Sequence, residues 1–69
     1  MNRKEAFLKI KSVAADDGFT KLDVLPMFKG VAPSVVNGYL KAAYELGFIT
    51  LNAGNPLCMY PTINLRNLK

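Results

Sequence analysis

The segment Val31–Ile49, VAPSVVNGYLKAAYELGFI, decides how the rest of the chain is read. Pro33 stands where a first helical residue belongs, because its missing N–H would be an orphan there in any case. Leu46-Gly47 is a stop, since glycine takes the left-handed conformation that closes a helix without a Cβ clash. Between these signals Val36, Leu40, Ala43 and Gly47 recur at spacings of four, three and four, one face of a 3.6-residue period. Ser34, Asn37, Lys41 and Glu45 fall on the opposite face. The pattern predicts a helix with one buried and one small polar face, running straight into a strand.

Working back toward the N-terminus, Arg3 to Ala15 reads as a helix with Phe7, Ile10 and Ala14 on its apolar stripe, Ala6 and Val13 beside it, and Asn2 as its cap. Asp16-Asp17-Gly18 breaks it and reads as a solvated turn. Phe19 is expected as the staple residue before a second helix. Thr20 caps that helix, and Asp23 completes a box-like arrangement three residues on. The helix spans Lys21 to Phe28, with Leu22, Leu25 and Phe28 inward and Val24 partly covered. Pro26 inside it predicts a kink or a 3₁₀ section near Asp23 to Pro26. Lys29-Gly30 then turns the chain, and Val31 anchors the turn.

Beyond Gly47 the period changes from 3.6 to 2. Phe48 to Leu51 is a strand, Asn52 to Pro56 a turn cluster, and Leu57 to Pro61 a returning strand that extends toward Thr62 and Ile63. Asn64 to Lys69 has no clear period and is expected to fray, with Leu65 and Leu68 available to dock on the first helix or on another subunit.

Composition limits the function. Sixty-nine residues make one domain, spanning 1–69 with its core over about 3–63, and a core this small is marginal. A single cysteine, Cys58, allows no internal disulfide, and without histidine a zinc site has no ligand set. Cys58 reads as a small buried hydrophobe in the second strand. No Ser-His or Cys-His pair, phosphate-cradling glycine loop or paired carboxylates beyond the turn aspartates are present, so no enzyme and no cofactor is expected. The N-terminal residues lack the apolar run of a signal peptide, and no segment is long enough to span a membrane, so a cytoplasmic location is expected. The formal charge of +4 suits a polyanionic partner, because cationic side chains displace counterions from phosphate.

The order helix, helix, turn, helix, hairpin, with the segment ending LGFI, resembles the winged helix-turn-helix superfamily of bacterial and phage DNA-binding proteins over about residues 3–63. The resemblance implies an α+β fold of three helices with a C-terminal β-hairpin wing. It also implies a small transcription regulator or phage accessory factor that binds double-stranded DNA with its third helix in the major groove. Carried onto this chain, the reading positions are Ser34, Val35, Asn37, Gly38 and Lys41, with Lys21 and Lys29 on backbone phosphates and Asn52 and Asn55 in the wing. Gly38 departs from the family, where a long polar side chain is common, and so does a wing without charge. Ala43 replaces a bulky core leucine, with Tyr39 and Tyr44 nearby to fill space. The alternative on the same fold is a protein-binding module using Val35, Tyr39 and Tyr44. Reading more than a few base pairs would need a homodimer or a larger protein complex, with the first helix or the leucine-bearing tail as the dimer surface.

Overall fold

A computed structural model of the chain describes residues 2–55 and 57–69. The fold is α+β, with four α-helices and a two-stranded antiparallel sheet among these residues. Helix α1 covers Arg3–Val13 and starts as expected, with the Glu5 N–H donating to Asn2 Oδ1 at 2.8 Å. It stops short of Ala15 because Ala14 turns extended and becomes the C-cap.

Helix α2, Lys21–Val24, is a single turn that passes directly into a 3₁₀ turn over Leu25–Phe28. Pro26 lies at the start of that 3₁₀ turn, so the change of winding comes about two residues later than the sequence suggested. The anticipated box forms: the Thr20 N–H donates to Asp23 Oδ2 at 2.9 Å, and the Thr20 side chain accepts from the Asp23 N–H. The inward set is corrected here. Val24 and Phe28, four residues apart, are buried, Leu25 is half-buried and Leu22 is 77% exposed. In so short a helix the buried face is set by Val24, and a residue two positions earlier points away from it.

Helix α3, Pro33–Glu45, matches its sequence signals closely. Val36, Leu40 and Ala43 are buried on one face. The Gly47 N–H bonds Tyr44 O and the Phe48 N–H bonds Ala43 O, the paired hydrogen bonds of a Schellman stop, with Gly47 at φ +80°. Strand β1, Ile49–Leu51, then pairs with β2, Met59–Pro61, in the register Ile49 to Pro61 and Leu51 to Met59. Phe48 precedes the strand and Leu57 lies in the turn, so both strands are shorter than anticipated; Pro56, assigned to that turn, lies outside the described residues.

Two long-range features were not foreseen. Phe19 is buried and exchanges two 2.8 Å backbone hydrogen bonds with Met59, adding a one-residue third strand to the outer side of β2. Gly18 is what lets the chain arrive there. Its φ is +116°, and a Cβ would lie 2.8 Å from Cys58 Sγ. Secondly, the second strand does not continue to Ile63, and the tail does not fray but packs on α1 in the way expected of Leu65, as a helix that the sequence did not announce. Thr62 caps a further helix, α4, over Ile63–Arg66, and its Leu65 is fully buried.

The core is one cluster running from Phe7 and Ile10 of α1 through Phe19, Val24 and Phe28 to Val36, Leu40 and Ala43 of α3, with Ile49, Met59 and Leu65 closing it. The Phe7 and Phe48 rings meet edge to face at 5.1 Å. No buried polar or charged residue interrupts the cluster among the described residues.

Candidate functional site

Because one side of α3 is locked into the core, the other side is fixed in its presentation. Ser34, Val35, Asn37, Gly38 and Lys41 are all exposed, Val35 at 46%. No hydrogen bond or ion pair among the described residues engages the side chains of Ser34, Asn37 or Lys41, so their donors and acceptors face solvent. Gly38 stands in open space, for a Cβ built there would meet no atom within 4 Å. Glycine in a helix interior costs roughly 0.5–1 kcal/mol relative to alanine, and no close contact among the described residues calls for a glycine there. Tyr39 belongs partly to the core, its ring stacked on Phe28 at 6.1 Å, whereas Tyr44 is half exposed and does not fill space beside Ala43.

The lysines divide by what they touch. Lys11 donates from Nζ to the Leu68 carbonyl at 2.7 Å, and Arg66 pairs with Asp16 at 2.7 Å, so both cations are engaged in holding the tail. Lys21, Lys29 and Lys41 make no ion pair among the described residues. Lys29 and Lys41 are exposed, and Lys21 is half-buried at the start of α2. The Asp23 carboxylate is turned onto the Thr20 N–H, and Glu45 is exposed at the end of α3.

Side-chain hydrogen bonds tie the described residues of the hairpin loop together. Asn52 Oδ1 accepts from the Gly54 and Asn55 N–H groups at 2.7 and 3.1 Å, and Asn52 Nδ2 donates to Tyr60 Oη at 2.8 Å. Asn55 Oδ1 accepts from the Leu57 N–H at 3.2 Å. Thus the Asn52 side chain is engaged inside the loop, and the Asn55 amide donors make no hydrogen bond among the described residues. Cys58 is half-buried rather than fully buried, with its sulfur turned toward Gly18.

The sequence reading passed over one concave surface. A groove of about 430 Å³ separates the start of α2 from the hairpin loop, lined by Thr20, Lys21, Leu22, Leu25, Asn55 and Leu57. Its sequence signal was available only in the two leucines next to turn residues, and Leu22 had been assigned inward.

Among the described residues no group of three histidine, cysteine, aspartate or glutamate side chains is placed to hold a metal ion, and no helix is long and apolar enough to cross a membrane. No protein-family model, curated protein or solved structure matches the chain.

Proposed function

We propose that the chain is a winged helix-turn-helix module that binds double-stranded DNA through the exposed face of α3. The observation that carries this reading is the division of α3 itself: Val36, Leu40 and Ala43 are sealed in the core, while Ser34, Asn37 and Lys41 project free polar groups from a rigid helix. Phe19 supports the topology, because its bridge to Met59 inserts a short strand between the first and second helices beside the hairpin. In this reading Asn37 pairs with a base edge, Val35 touches a thymine methyl, and Lys21, Lys29 and Lys41 take phosphates. Gly38 lets the duplex approach the helix backbone. The loop contributes shape and the Asn55 amide rather than charge, so the lysines supply the electrostatic grip.

Fluorescence anisotropy with a labelled duplex, repeated across salt concentrations, tests the proposal. Lys41→Gln should weaken binding and lower the salt slope by about one unit, whereas Lys4→Gln on α1 should leave the slope unchanged. Equal effects of the two substitutions, or binding insensitive to salt, would contradict it.

A further inference from the structure

The groove between α2 and the hairpin loop is walled by leucines that the fold leaves outside its core. Leu22 and Leu57 are each 77% exposed, and Leu25 closes the floor while packing on the core cluster. The described residues of both walls carry hydrogen bonds of their own. The loop wall is tied by the Asn52 and Asn55 hydrogen bonds and by backbone bonds from Asn52 N–H to Cys58 O and from Cys58 N–H to Asn55 O, each 2.9 Å. The helix wall is tied by the Thr20 to Asp23 bond. A surface ordered in advance loses less entropy when it is covered.

The chemistry of the lining selects the occupant. Among the described residues Lys21 is the one charged residue lining the groove, and no acidic side chain lines it. It has no ion-pair partner among the described residues. The groove therefore offers apolar walls with an unmatched positive edge. Recognition here is by side chains and not by strand addition, because β2 is already flanked by β1 and Phe19 and the free sheet edge belongs to β1.

We infer that this groove docks an acidic amphipathic helix of a protein partner, whose leucine-type side chains enter between Leu22 and Leu57 and whose carboxylate meets Lys21. The docking does not depend on α3 binding DNA.

The test is an NMR titration of labelled protein with a synthetic helical peptide carrying leucines at i, i+3, i+4 and i+7 among glutamates, beside a peptide with lysine for every glutamate. Saturable shifts confined to Thr20, Lys21, Leu22, Leu25, Asn55 and Leu57 are expected, with the lysine peptide binding more weakly. Leu22→Ser and Leu57→Ser should each lower affinity at least about tenfold, and their amide spectra away from the groove should stay unchanged because both leucines lie outside the core. Absence of saturation, equal binding of the two peptides, or unchanged affinity in both serine variants would overturn the inference. So would groove shifts that depend on protein concentration alone, since a second copy would then be the occupant, or shifts of Leu22, Leu25 and Leu57, which lie outside the proposed DNA contacts, produced by duplex DNA in place of the peptide.

Discussion

The two ends of the β-hairpin are finished in opposite ways. Where the hairpin joins α3 and α4, polar groups fasten the chain to itself. Thr62 Oγ1 donates to the Gly47 carbonyl at 2.6 Å, Asn64 Nδ2 donates to the same carbonyl at 3.3 Å, and the Arg66 guanidinium binds the Ala14 carbonyl and Asp16. Leu65 is sealed beneath them. At the loop end the Phe19 and Met59 backbone bonds and the loop's own hydrogen bonds hold the chain, but Leu22 and Leu57 stand uncovered beside Lys21, which has no ion pair among the described residues. A chain this small buries only about 60% of its unfolded surface. The contrast shows which end that limited burial serves: the tail completes the core, and the loop end leaves two leucines exposed.

The largest effect should come from opening the closed end. Leu65→Ala should destabilise the domain by about 2–5 kcal/mol, the usual range for a leucine removed from a packed core. Urea unfolding reads this directly. A loss under about 1 kcal/mol, set against that range, would mean that α4 rests on the surface and that the two ends differ less than their geometry says.

A smaller loss is expected at Arg66, whose side chain is 37% exposed and whose partner Asp16 is 87% exposed. Exposed ion pairs contribute little, so most of the effect should come from the hydrogen bond to the Ala14 carbonyl, about 1 kcal/mol in all. If Asp16→Ala costs as much as Arg66→Ala, the ion pair and not the carbonyl contact holds the tail.

Gly38→Ala is the mildest change and has the opposite sign. With open space at the Cβ position, alanine should raise stability by about 0.4–1 kcal/mol in thermal melting. The same variant should bind duplex DNA less well, because the added methyl stands where the helix backbone is approached. Unchanged binding would remove Gly38 from the proposed contact face.

These effects also mark how far the sequence was legible. Helix α3 could be read almost to the residue, because proline, periodicity and glycine are local signals that all agreed. The hairpin was recognisable from the switch to period 2, although its strands came out shorter. What escaped the reading depended on long-range or non-periodic geometry. The Phe19 and Met59 bridge joins residues with no local pattern between them. Helix α2 is a single turn, too short to show a period, so the spacing of three from Leu22 to Leu25 to Phe28 put Leu22 inside and undervalued Val24, which shares the buried face with Phe28 four residues on. Helix α4 is four residues long, too short for any period, and is specified by the Thr62 cap and the burial of Leu65. Ser34, Val35, Asn37, Gly38 and Lys41 were assigned to the outer face from sequence, whereas exposed Tyr44 was not, and the groove could not be seen, because concavity depends on how α2 and the loop are placed together.

The most direct measurement is an NMR titration of labelled protein with a random-sequence duplex at low and at moderate salt. Amide shifts clustered from Ser34 to Lys41, with Lys21 and Lys29, and shrinking as salt rises, are the result predicted for α3 as a DNA-contacting helix. No shifts at low salt, or shifts confined to α1 and the tail, would contradict it.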